Sequence, residues 1–474
     1  MMKRYKLTAL LLALAMLLCL VACSSGTEGE GGEPQNTEQD PPTPPATEEP
    51  SGSGSTNEPA GSGEQAGPDT PGGEATDPAG SDAPSGEPTP PAPAIPLLPL
   101  QKQQQSLADR DEDRLLVRSE ASCVTLFGDA AAYPALAEAL GQRAGMVLRS
   151  MEEEYDNLCV MVREDLSWPG MGEETWVSTF DDQVRRADGV VLSLLNDSYA
   201  DHGMVQDFRG MHGSNYDVAT GQELALTDVV EINNDLALAV AAELNRHQWA
   251  GDVDYTEAVE LYFANTPYDG FAWTLDYNGL TFYFGDGDLE EPGNGRKSAT
   301  VSFAEHPALF QEKFLTAPAA YLVELPLDHP FFTDLDGDGD TEELSVTALY
   351  DADAGCYTRY GVYAEANGAF RYEDCHADGL LPYYLRTAEG SHFLYLFFKD
   401  YEGMTPFSAL TVYDVNYGTL TEVGSVNVGP GYLGNGSYRL PTDPGEFYLD
   451  NFDGDLQEMT AYAVGAMGLP APRQ

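Results

Sequence analysis

The chain reads as an α+β protein: a mainly antiparallel sheet with two helices, followed by a β-rich second domain and preceded by a long disordered tether. Three observations lead there. Apolar residues recur at helical spacing in two stretches, with hairpin signals between and after them. Beyond residue 326 they fall into short runs rich in Tyr, Val, Leu and Phe. Between Ser24 and Ile95 large apolar residues are nearly missing.

Taken in order, residues 1–22 read as a secretory signal. Lys3, Arg4 and Lys6 give a positive start, and Leu7 to Val21 form an apolar run too short for a comfortable membrane span. The run ends in Leu20-Val21-Ala22-Cys23, followed by Ser24-Ser25-Gly26. This resembles the bacterial lipoprotein box. The resemblance implies cleavage before Cys23, lipidation of its thiol, and a chain held by acyl groups on the extracytoplasmic face of the cell membrane.

Residues 23–104 are then the anchor and tether, built from Gly, Pro, Ser, Thr, Ala, Glu and Asp. Such a composition buries too little apolar surface to offset its ordering entropy. With 78 acidic against 23 basic residues the net charge is -55, which argues against nucleic acid and anionic lipid as partners and favours basic ones.

Residues 105–325 form the first globular region. Leu115-Leu116-Val117 starts a strand. Tyr133-Pro134 opens a helix whose inward face is Leu136, Leu140, Ala144, Val147 and Met151. Val160-Met161-Val162 and Trp176-Val177 read as short strands, with Trp168-Pro169-Gly170 as a turn. Val190 to Leu195 reads as a buried strand, Tyr216 to Leu226 as a hairpin about Thr220-Gly221, and Asp235 to His247 as the second helix. Asn278-Gly279 joins a hairpin of Phe271–Leu275 and Leu280–Phe284, and Ala299–Phe303 closes the region.

Within it, Asp188-Gly189-Val190-Val191, Met211-His212-Gly213-Ser214-Asn215-Tyr216-Asp217, Thr220-Gly221-Gln222-Glu223-Leu224, Leu226-Thr227-Asp228-Val229 and Leu280-Thr281-Phe282-Tyr283-Phe284 follow one another in an order that resembles the RsiV-type extracytoplasmic domain. That family is mostly of unknown function. It includes the lysozyme-sensing ectodomain of an anti-sigma factor and an accessory domain of a peptidoglycan deacetylase. The resemblance implies a binding module outside the cell, with lysozyme, a basic protein, electrostatically suited to an acidic head. A lipid anchor does not cross the membrane, so the chain would capture such a ligand without itself passing on a signal.

Residues 326–474 form the β-rich domain, with strands at Leu344–Tyr350, Tyr360–Ala364, Ala369–Tyr372, His392–Phe398, Ala409–Val415 and Thr421–Val428. Its one specific motif is Asp334-Leu335-Asp336-Gly337-Asp338-Gly339-Asp340-Thr341-Glu342-Glu343. Carboxylates at alternate positions of a tight loop converge on a hard cation when a glycine at the sixth position permits the bend, so calcium is the expected ligand. Ser345 stands where an EF-hand needs its bidentate acid. The loop instead resembles calcium loops of FG-GAP-like β repeats, held by the carboxylates of Asp334, Asp336 and Asp338 and the backbone carbonyl of Asp340, with Glu342 or Glu343 as the last ligand. Gly429-Pro430-Gly431-Tyr432-Leu433-Gly434 spells a dinucleotide pattern, but Pro441 and Asn435-Gly436 forbid its helix.

Cys123, Cys159, Cys356 and Cys375 allow three disulfide pairings; proximity favours 123 with 159 and 356 with 375, and free buried thiols are the alternative. His212, between glycines and near His202, reads as a structural hydrogen bonder. No nucleophile, zinc or phosphate-loop motif occurs. The sequence therefore predicts a non-catalytic surface lipoprotein that binds lysozyme or wall glycan. A hydrolase of envelope polymers and a calcium-stabilised adhesive protein are the rivals.

Overall fold

The computed structural model describes residues 95–473 except 113, 129, 166–174, 202–207, 248–252, 268, 352–353, 355, 401–406, 435 and 452–457. The signal, Cys23, the tether up to residue 94, the Trp168-Pro169-Gly170 turn and His202 lie outside the described residues. The described residues form one compact unit.

The chain opens with β1 (Leu100–Asp111) and β2 (Arg114–Leu126), which pair along their whole lengths. β1 begins inside the stretch expected to be tether. Its sequence, LQKQQQSLADRD, lacks a strand's apolar alternation, yet Leu98 and Leu100 are fully buried and pin it.

The first helix, α1 (Pro134–Asp165), runs well beyond Met151. Val160-Met161-Val162, expected as a strand, lies within its last two turns. Tyr155, Leu158, Cys159 and Val162 continue the three-and-four spacing against Leu116, Val117 and Trp176, so helical packing overrides β propensity.

β3 (Trp176–Ala187), β4 (Val191–Asp201) and β5 (Phe208–Asp217) follow. Next comes α2 (Asn234–Arg246), capped by Asn233, whose Oδ1 accepts from Leu236 N at 3.0 Å. A third helix, α3 (Thr256–Asn265), was not expected. Val259 is its one residue in the buried class, so it carries almost no amphipathic signal.

β6 (Ala272–Leu275), β7 (Gly279–Phe284) and β8 (Lys297–Ser302) make a three-stranded sheet around the expected Asn278-Gly279 turn. β9 (Tyr321–Glu324), β10 (Phe331–Thr333), β11 (Glu342–Asp351), β12 (Cys356–Ala364), β13 (Ala369–Arg386), β14 (His392–Asp400), β15 (Phe407–Asp414) and β16 (Thr421–Val426) form an eight-stranded sheet. In it β10 to β16 lie in sequence order, and β9 pairs with β13. β17 (Val428–Pro430), β18 (Tyr432–Gly434), β19 (Ser437–Arg439), β20 (Phe447–Asn451), β21 (Glu458–Val464) and β22 (Pro470–Pro472) complete the chain.

The first sheet has seven strands in the order β18-β19-β1-β2-β3-β4-β5. Within it β2 and β3 run parallel, as the α1 crossover permits, and the other pairs run antiparallel. β18 and β19 come from the C-terminal region, so the division expected at 325/326 does not separate two cores. One cluster contains Leu100, Leu136 and Leu194 together with Tyr383, Phe397 and Leu449.

The motifs about Asp188 and Gly213 turn out to be joints of this frame. Asp188 Oδ1 accepts from Val190 N and Val191 N, while its Oδ2 takes Arg186 Nε at 2.7 Å. At Gly213 an added Cβ would lie 1.7 Å from Trp273 O. Glycine is therefore required where β5 meets β6. Asn215 then zips the two elements, donating to Trp273 O at 3.1 Å and accepting from Leu275 N at 3.0 Å. His212 is exposed beside them.

Candidate functional site: an aromatic sheet face beside an acidic loop

Strands β11, β12 and β13 align three cross-strand rows on one face. Ser345 faces Tyr363, which faces Phe370; Thr347 faces Gly361, which faces Tyr372; Arg359 faces Leu349 on one side and Asp374 on the other. The alternate residues Leu344, Val346 and Val362 go into a core, which fixes this register. The outward face is unusually apolar for an exposed sheet: Phe370 is 45% and Tyr372 62% exposed.

Ser345, Thr347, Gly361, Tyr363, Phe370 and Tyr372 line a hollow of about 290 Å³. Its floor depends on Gly361, where a Cβ would come within 2.9 Å of both Thr347 Oγ1 and the Tyr372 ring. Phe370 and Tyr372 meet edge to face at 4.1 Å, which holds both rings upright. The hollow thus offers aromatic walls with two hydroxyls, those of Ser345 and Thr347, at one side.

The loop 334–341 joins β10 to β11, the strand that carries Ser345 and Thr347. Gly337 and Gly339 take φ of 84° and 101°, the left-handed values that the motif's glycines permit. Carboxylate oxygens of Asp334, Asp336 and Asp338 lie within 4.8 Å of one another. Asp334 is held by Gly337 N at 2.6 Å and Gly339 N at 3.2 Å.

Glu342 stands beside them, accepting from Leu335 N at 2.7 Å. Burial, with the charges of Asp336, Asp334 and Asp338, pushes its carboxyl up to about 7. Hard oxygen donors, converging and mutually repelled, fit a divalent cation such as calcium. The Asp340 side chain interacts with Arg246 and Glu305, and the Glu343 backbone N–H donates to Glu365 Oε2 at 2.9 Å.

Glu365 belongs to a cluster that sequence reasoning missed. His247, at the C-terminal end of α2, places Nδ1 2.7 Å from Glu365 Oε2 and Nε2 3.6 Å from buried Glu243, and its ring lies 4.5 Å from that of Phe332. Burial works to lower its pKa, but the ion pairs with Glu243 and Glu365 prevail and raise it to about 9. No periodicity or motif signals these residues; they meet because the turn after β12 and Phe332 of β10 lie against the end of α2.

The four cysteines carry free thiols. Cys123 Sγ is 4.0 Å from Ala144 O on α1, whereas Cys159 sits fifteen residues further along that helix, about 22 Å away at its rise per residue. Those two cannot pair. Cys356 Sγ lies 3.5 Å from His376 Nδ1, and Cys375 donates to Tyr357 O at 3.4 Å.

No family model and no curated protein matches the chain. Among solved structures it is similar to a DUF3298 family member from Bacteroides fragilis, with a TM-score of 0.36 and 14% identity over 47% of this chain and 96% of that one. It is also similar to a DUF3298 family protein from Pseudomonas aeruginosa PAO1, with a TM-score of 0.32 and 16% identity over 47% and 97%.

Proposed function

We propose that this chain is a lipoprotein, anchored through Cys23 on the outer face of the membrane, that binds glycan of the cell envelope without cleaving it. The aromatic face of β11–β13 carries this reading. Sugar rings present apolar C–H faces that stack on exposed aromatic side chains, while their hydroxyls hydrogen-bond to groups such as Ser345 and Thr347. Calcium in the loop 334–341 would staple the β10–β11 hairpin that supports this face, through Asp334, Asp336, Asp338 and Glu342.

Calorimetric titration with soluble wall-glycan fragments tests the reading. Saturable heat without product release supports it, and reducing ends accumulating over hours would instead make the chain a hydrolase. The net charge of -55 favours a second reading, capture of lysozyme. Binding of lysozyme that survives high salt while wall fragments give no heat would replace the first reading with this one.

A further inference from the structure

The seven-stranded sheet buries a lysine between two acids. Lys102 Nζ lies 2.8 Å from Asp181 Oδ1 and 2.8 Å from Glu324 Oε1; Lys102 and Glu324 are 2% and 3% exposed and Asp181 is 35% exposed. Register explains the meeting. Lys102 faces Val124 on β2 and Asp181 faces Ser122 on the same strand, so all four project from one side of the sheet. Glu324 enters from the end of β9.

Tyr383 and Tyr438, both buried, complete the surroundings. The Tyr383 hydroxyl and Glu324 Oε2 have no hydrogen-bond partner among the described residues. Two carboxylates around one ammonium leave surplus negative charge against enclosed Lys102 and Glu324, a costly arrangement for a mere ion pair. Condensing one carboxylate with the amine removes that cost.

We propose that Lys102 and Asp181 join in an intramolecular isopeptide bond, with Glu324 relaying protons. Burial works to lower the Lys102 pKa, but Asp181 and Glu324 outweigh it, so the lysine starts as an ammonium. Glu324, raised by burial and by Asp181 against the pull of Lys102, is suited to accept its proton. The freed amine attacks Asp181 Cγ, forming a C–N bond, and a C–O bond breaks. Of the three ammonium protons, one stays on the amide nitrogen and two depart with the leaving oxygen as water, passed on through Glu324. Glu324 ends ionised as it began, and no oxidant or second reactant takes part.

Asp181 is the acid that reacts because its partial exposure gives the water an exit, which enclosed Glu324 lacks. Groups held in contact react with effective molarities of about 10⁵–10⁸ M, which lowers the barrier to condensation. β1 is the first strand after the N-terminal stretch. The bond would pass any pull on that end directly to β3, past the hydrogen bonds between β1 and β2.

The test is the intact mass of the folded full-length chain, with Lys102→Arg as the uncrosslinked reference, followed by fragmentation of a proteolytic digest. The expected result is a wild-type mass one water below that calculated relative to the reference, and a branched peptide joining Lys102 to Asp181. Glu324→Gln should restore the lost water while keeping a cooperative melt; should that variant not fold, Asp181→Ala serves in its place. A wild-type chain at full mass, yielding linear peptides through Lys102 and Asp181, overturns the proposal. A branch to Glu324 overturns the assignment of roles.

Discussion

At the scale of single residues, position on a sheet face matters more than residue type. Tyr372 and Phe370 are exposed, so removing them exposes no core. Tyr372→Ala or Phe370→Ala should weaken glycan binding by roughly tenfold, the worth of one aromatic contact of about 1–1.5 kcal/mol, with an unchanged melting temperature. Calorimetry beside a thermal melt checks both halves, and a falling melting temperature would mean the rings are structural.

Asp336 is the residue on which the calcium reading turns. At a calcium concentration about a hundredfold above the dissociation constant, the wild type should gain about 2.7 kcal/mol, and Asp336→Asn should lose most of that gain. Glu342 adds a sign. A carboxyl raised from 4.5 to about 7 opposes folding increasingly as pH climbs through that interval, because the folded site resists its ionisation. A bound cation relieves this, so calcium should bind more weakly at pH 5.5 than at pH 7.5. Equal affinities at the two values would remove Glu342 from the site.

At the scale of elements, the contact between the end of α2 and the turn after β12 is electrostatic. His247 has its folded pKa raised from 6.5 to about 9. Its contribution is fully present below 6.5 and is lost as pH rises through 9, worth on the order of 1–3 kcal/mol. Denaturant midpoints measured from pH 6 to pH 10 should therefore fall across that window, and His247→Gln should flatten the fall. A wild-type curve already flat there would show that the pair with Glu365 is not formed.

The elements also show where sequence reading succeeds. The Asn278-Gly279 hairpin and α2 were legible because turn chemistry and 3.6-residue periodicity are local properties. β1 was not, since its glutamines occupy a strand through pairing with β2 rather than through apolar alternation. The end of α1 differs for the converse reason: Val160 and Val162 favour strands by type, but Leu158 and Val162 pack helically against partners on β2 and β3.

At the scale of the whole molecule, residues expected in two domains share one core. β19 pairs with β1, and Leu100 and Leu194 lie in one cluster with Tyr383 and Phe397. The described part should therefore melt in a single transition, and residues 105–325 expressed alone should lack one, having lost β1's first residues and half of that core. Cooperative unfolding of that fragment, followed by calorimetry, would restore the two-domain division.

What the sequence by itself determined is whatever depends on near neighbours: the polar composition of residues 24–94, most strands after residue 340, and the Asp-Gly loop, whose bend follows from its glycines. The tertiary structure alone decided what depends on residues far apart in the chain. It raised Ser345, Gly361 and Tyr372 into one hollow, set His247 against Glu365, and enclosed Lys102 between Asp181 and Glu324. The reason is physical: a strand's register chooses which alternate side chains share a face, and register is settled by the burial of the opposite face, which no local stretch of sequence contains.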